Sequence, residues 1–113
     1  MKNNKNKDTT KMFEMAVANR ETEKYTLCLY VSGMTPRATR AIANIKQICE
    51  EHLEGRYTLE VIDLFQQPER AEIDQIVAVP TLIKRLPPPL RRIIGEMSNP
   101  EYVLVGLDLR KAP

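Results

Sequence analysis

Cys28 and Cys49 are the only thiols in the chain, and thiols are where a small α/β protein could do covalent chemistry. Thiol exchange needs a low-pKa thiolate at a helix N-terminus, usually with a second Cys beside it. Neither residue sits in a C-x-x-C pair. Cys28 falls in a strand pattern and Cys49 on an apolar helix face. Both read as small buried hydrophobes. His52 is the single histidine, with no ligand cluster around it in sequence, so no metal or other cofactor is expected. Asp63 ends a strand pattern with no His, Lys or second carboxylate near it, which suits structural hydrogen bonding better than acid–base work. Glu50, Glu51 and Glu54 crowd a helix end where the dipole disfavours them, and carry no assigned role.

The remaining chemistry is recognition. Lys84, Arg85, Arg91 and Arg92 are four cations with no acid among them. Without interleaved aromatic residues they suit an acidic protein surface better than nucleic acid. Tyr25, Arg40 and Tyr57 are candidate contacts, because Tyr and Arg are favoured interface anchors. A net charge of +2 from 17 basic and 15 acidic residues gives no independent case for nucleic acid. No apolar run approaches the roughly 20 residues that span a bilayer, and no signal-type apolar stretch opens the chain. A cytosolic location is expected.

The elements that must hold these residues follow from periodicity. Residues 1–23 read as an arm: a Lys- and Asn-rich stretch, then a weakly amphipathic helix from Met12 to Glu23. Residues 24–113 form one domain. Tyr25–Val31 is apolar at nearly every position, as in a strand covered on both faces. Thr35 and Pro36 are an N-cap and a first helical residue. Ala38, Ala41, Ile42, Ile45, Ile48 and Cys49 then recur at helical spacing towards Leu53. Gly55 suits a left-handed stop, and Tyr57–Leu64 is a second strand. Strand, long helix, strand is a βαβ unit with parallel strands. A short helix over 68–76, with Ala71, Ile73 and Ile76 apolar, precedes Val79-Pro80-Thr81 and a short strand at Leu82-Ile83. This order is that of thioredoxin, with a Pro where that fold keeps a cis bond.

The last third sends conflicting local signals. Ser98-Asn99-Pro100-Glu101 is a capping box announcing a helix, in which Tyr102, Val105 and Leu109 would share a face. Yet Val103, Val105, Leu107 and Leu109 alternate as in a strand, and Gly106 weakens a helix by about 1 kcal/mol relative to Ala. Leu90–Ile94 reads equally as a helix from Pro89 to Gly95 or as an edge strand. Conflict between levels is unusual in natural sequences. Folds that switch do so when two packings differ by a few kcal/mol.

Tyr25–Pro36, Val61-Ile-Asp63, Val79–Leu82, Leu86–Gly95 and Val105–Leu109 together resemble the KaiB family over nearly all of residues 24–110. The resemblance implies a metamorphic protein. One state is a homotetramer; the other is a thioredoxin-like monomer that docks on the hexameric ATPase KaiC and then recruits KaiA or an output histidine kinase. It implies no catalysis and no cofactor. Gly106 and Asp108 match family positions whose substitution favours the binding-competent fold. Cys28, Ala43 and Glu60 stand where many cyanobacterial members are basic, and Arg110–Pro113 replaces their acidic tail. Some bacteria carry these proteins without a full clock, so a stress or metabolic timing role stays open, as does a homodimer or tetramer. The competing class is a thioredoxin-like oxidoreductase lacking C-x-x-C.

Overall fold

A computed structural model describes residues 23–109. The arm helix expected from Met12 and the basic C-terminal residues lie outside the described part. Four strands and three helices follow in the order β1 (Tyr25–Val31), α1 (Pro36–His52), β2 (Tyr57–Asp63), α2 (Glu69–Ile73), β3 (Thr81–Leu86), β4 (Arg91–Ile94) and α3 (Pro100–Gly106). The sheet order is β2-β1-β3-β4. β1 and β2 are parallel, with Leu29 opposite Val61; β3 is antiparallel to β1 and to β4.

The βαβ unit forms as its pattern dictates. Thr35 Oγ1 accepts the Ala38 amide at 3.1 Å, and Pro36 starts α1 without losing a bonded N–H. Ala38, Ala41, Ile45, Ile48 and Cys49 face inward, and Gly55 takes a left-handed φ of 74° after the helix. Each fully buried Ile contributes about 1.5–3 kcal/mol. β1 is buried on both faces because α1 and α3 cover one and the segment containing α2 covers the other.

The short helix is shorter than its pattern. It spans five residues, and Ile73, expected inside, is exposed. The chain leaves the helix at Asp74 and turns through Gln75 at a φ of 57°, so only Ile76 packs against the second core. The Val79–Pro80 peptide is cis.

In the last third, each conflict has one outcome. Residues 91–94 are an edge strand, and residues 100–106 are helical. Asn99, not Ser98, is the N-cap, accepting the Tyr102 amide at 3.3 Å. The buried face is Val103, Leu104 and Leu107; of the expected stripe Tyr102 is exposed, and only Leu109, beyond the helix end, packs partly buried against the core. Core contact with β4 and α1 selects that stripe. The helix accommodates Gly106 because it lies against β4: an ideal Cβ there would sit 2.7 Å from Cδ1 of buried Ile93. Among the described residues, no helix is long and apolar enough to cross a membrane.

Candidate partner interface

The loop between β1 and α1 occupies the position where the thioredoxin fold carries its nucleophile. Asp63 Oδ1 holds it, accepting the amides of Gly33 and Phe65, each at 2.9 Å. Gly33 has a φ of 76°, and a side chain there would meet the Phe65 ring at 2.9 Å. Asp63 is therefore committed to backbone, as its sequence context suggested. Beyond the loop, Val31, Thr35, Pro36, Ala38, Val79 and Pro80 line a groove of roughly 350 Å³. No thiol reaches it. Cys49 is buried in the main core, and burial, helped by the Glu50 charge, pushes its thiol up to about 12. Cys28 is buried in the second core, its Sγ 3.8 Å from Glu60 Oε1. Among the described residues no cluster of His, Cys, Asp and Glu could hold a metal.

The four cations that sequence groups together are divided by the sheet. Successive side chains on a strand point to opposite faces. Lys84 and Arg91 are register partners on one face; Ile83 and Arg92 pair on the other, where Arg85 also lies. Lys84 is only 1% exposed. It reaches Asp108 Oδ2 at 3.1 Å, while Arg91 reaches the same oxygen at 2.9 Å. Arg91, followed by Lys84, holds the Asp108 carboxyl below its ordinary value against some burial. In this arrangement Lys84 is not presented to a partner, although its charge had placed it with the docking residues.

On the opposite face Tyr30 is fully buried, and its hydroxyl donates to Asp74 Oδ2. Arg85 Nη2 donates to that hydroxyl at 2.6 Å and pairs with Asp74 Oδ1 at 3.1 Å. Arg70 Nε reaches Asp74 at 3.0 Å. Burial pushes the Asp74 carboxyl up, but the bonds from Tyr30, Arg70 and Arg85 outweigh it and hold it below the ordinary range. Arg92 caps the end of α2, donating to the carbonyls of Asp74 at 2.8 Å and Gln75 at 3.2 Å. Its side chain remains exposed, as does that of Arg91.

The other sequence candidates are dispersed. Tyr25 is buried at the start of β1, between the charges of Arg56 and Lys84, 5.8 and 5.9 Å from its ring centroid. Burial raises its phenol, helped by Glu23 and opposed by Arg56. Tyr57 is half-buried at the matching end of β2. Its hydroxyl donates to Glu50 at 2.6 Å, which, with burial, moves its pKa to about 12. Arg40 lies on α1, exposed and paired with Glu96 at 2.8 Å. Gly106 and Asp108 flank Leu107 at the end of α3.

What sequence reading missed is apolar. The largest exposures among hydrophobic side chains are Val77 at 90%, Phe65 at 74%, Met34 at 70% and Ile73 at 68%. All four lie on α2 or in the loops beside the β1–α1 turn and the groove. The available signal was their chemistry: Met34, Phe65 and Val77 are apolar residues in segments that read as turns, and Ile73 lies in the expected short helix. Exposed apolar groups gathered at one end of a domain mark an interaction surface.

The KaiB-domain family model matches residues 28–109. The chain is 57% identical over 83 residues to the circadian clock protein KaiB3 of a Synechocystis species, spanning 74% of this chain and 81% of that one. It is 55% identical over 85 residues to the circadian clock oscillator protein KaiB of Prochlorococcus marinus, spanning 75% and 79%. Among solved structures, the N-terminal domain of Synechococcus elongatus SasA superposes with a TM-score of 0.64 at 20% identity, covering 80% of this chain and 90% of that one. Mitochondrial thioredoxin 3 of Saccharomyces cerevisiae superposes with a TM-score of 0.61 at 14% identity, covering 80% and 82%. These two likenesses concern the fold alone.

Proposed function

The chain belongs to the KaiB family of circadian clock proteins, and from that premise we propose that it is a non-enzymatic regulator that docks on a KaiC-type hexameric ATPase and modulates its phosphorylation cycle. One observation carries binding over redox chemistry. The thioredoxin-like frame has Gly33, Met34 and Thr35 where a nucleophile would stand, and both cysteines are buried elsewhere. A scaffold of this type without its thiol keeps the loops and loses the reaction. The loops then present Met34, Phe65, Ile73 and Val77, an apolar set suited to a protein partner.

The docking surface we assign joins those residues to the cations that remain exposed. Arg92, on the face of α2, supplies positive charge beside the apolar set; Arg40 and Arg91 supply it on the opposite face. Charge steers the encounter with an acidic ATPase surface, and apolar burial holds the complex. Tyr57 sits at the end of the edge strand β2, and Tyr25 is its register partner on β1. In this reading they shape the edge more than they anchor a partner.

The last third is the regulated part. Gly106 and Asp108 act through the balance of two arrangements, and such a balance is a difference. Asp108 bonds Lys84 in this arrangement, and a Cβ on Gly106 would press on Ile93. Substitutions there favour the thioredoxin-like form only if they cost the other arrangement more. A KaiA-like protein or a sensor histidine kinase would join or compete after docking. The free protein is a homo-oligomer in its other arrangement and works in the cytoplasm.

The deciding experiment is size exclusion and pull-down of the full chain against the KaiC homologue of the same organism. Complex formation by the wild type, or by a Gly106→Ala, Asp108→Arg variant, supports the reading. Absence of complex with both defeats it.

A further inference from the structure

We propose that Glu96 is a clasp that fastens the last third of the chain onto α1, and that its release is the local event by which this arrangement is given up. The proposal deepens the regulatory reading above, resting on its claim that the last third rearranges. Residues 95–99 join β4 to α3. Three donors from successive turns of α1 converge on Glu96. Arg40 Nη2 meets Oε1 at 2.8 Å and Arg37 Nε meets it at 3.2 Å. Arg40 Nε lies 3.4 Å from Oε2, and Asn44 Nδ2 donates to the Glu96 carbonyl at 2.9 Å. Positions 37, 40 and 44 share one helix face, so a single residue is held from one stripe.

The backbone on either side explains why a clasp is needed. Gly95 has a φ of 120° and Met97 a φ of 61°. A left-handed Met is rare, and such a residue persists only where its surroundings over-determine it. Two groups do so here. The Met97 side chain is buried in the main core, and Glu96 is tied to α1 immediately before it. The Gly95 amide adds a bond to the Pro80 carbonyl at 2.9 Å. α1 belongs to the βαβ unit, where local signals agree with one another. It is the fixed side of the clasp, and residues 98–107 are the side that leaves.

Exposed ion pairs taken singly contribute little. Here one carboxylate is shared by two guanidiniums, a backbone carbonyl is bonded alongside, and the competing state lies close in energy. A small local loss therefore moves the population. Amide hydrogen exchange on the full-length chain in the Gly106→Ala, Asp108→Arg background, which favours this arrangement, tests this. With Glu96→Ala, exchange at Val103, Leu104 and Leu107 should accelerate about threefold to tenfold relative to Leu27, Leu29 and Val31, the range of modest opening free energies. Glu96→Gln, which keeps the shape, should give a smaller effect of the same kind. Arg40→Ala should add almost nothing once Glu96 is Ala, because both remove the same contact.

Unchanged exchange in α3, equal acceleration in β1, or additive effects of the two alanine substitutions would overturn the clasp. ATPase docking is not part of the readout. A chain with no second set of amide resonances, in which Glu96→Ala still loosens α3 alone, would end the two-arrangement reading and leave the clasp standing.

Discussion

The hydroxyl of Tyr30, at the centre of the sheet, is bonded to the carboxylate of Asp74, the residue that ends α2. The two are 44 positions apart. Arg70 and Arg85 donate to both the phenol oxygen and the Asp74 carboxylate, and Arg92 holds the same turn by its carbonyls. A five-residue helix without a buried side chain of its own cannot be held by apolar packing. This polar knot positions it, and with it the loops that carry Ile73 and Val77.

Tyr30→Phe should therefore loosen α2 without disturbing the main core. Removing one partner of a buried polar group costs about 1–3 kcal/mol, and Asp74 keeps two guanidiniums, so the lower half of that range is expected. Urea unfolding should show a lower midpoint with an unchanged slope. An equal or greater midpoint would mean that the knot does not stabilise the fold.

Acid should unfasten both sides of the sheet. Asp74 and Asp108 are held below an ordinary value of 3.8, and Glu96 below 4.5 by Arg40 despite slight burial. A carboxylate with a depressed folded pKa stabilises the fold fully above its unfolded value and loses that contribution as pH falls through the folded one. Stability should be level above about pH 5 and decline below pH 4, more steeply than in an Asp74→Asn, Glu96→Gln, Asp108→Asn variant. Parallel acid profiles for the two proteins would contradict the assignment.

Neither thiol should behave as a catalyst. Cys49 is buried with its pKa near 12, and Cys28 is covered by the second core. The thiolate is the reactive form, so alkylation by iodoacetamide at pH 8 should be slow in the native protein and complete in urea. Rapid modification of one cysteine in the native state, with catalysed reduction of a disulfide substrate, would revive the oxidoreductase alternative.

Val77→Asp separates binding from folding most cleanly, because that side chain is almost wholly exposed. Surface substitutions away from caps and cores usually stay within about 0.5 kcal/mol. An interface anchor costs more than about 1 kcal/mol, so docking on the KaiC homologue should weaken by about tenfold in titration calorimetry while Tm stays constant. Undiminished affinity in Val77→Asp and in Phe65→Ser would remove the apolar loops from the interface.

The βαβ unit was readable in the chain because its information is local and consistent. Alternating apolar residues in Tyr25–Val31, the helical stripe from Ala38 to Cys49, the Thr35–Pro36 start and the Gly55 stop each name one structure. The cations at 84, 85, 91 and 92 were equally visible, but not their division: that depends on which face of β3 and β4 each side chain takes and on Asp108 arriving from α3. The apolar types of Phe65 and Val77 were visible, but not their exposure, because exposure is a property of what packs nearby.

By itself, then, the sequence determined an α/β domain that opens with a parallel βαβ unit, its helix limits and its membership of a known pattern, since these rest on periodicity and turn chemistry within about twenty residues. Tertiary structure alone decided the last third. There, helix and strand preferences nearly cancel locally, and the choice passes to contacts made at long range: Ile93 against Gly106, Asp108 on buried Lys84, and Glu96 on α1.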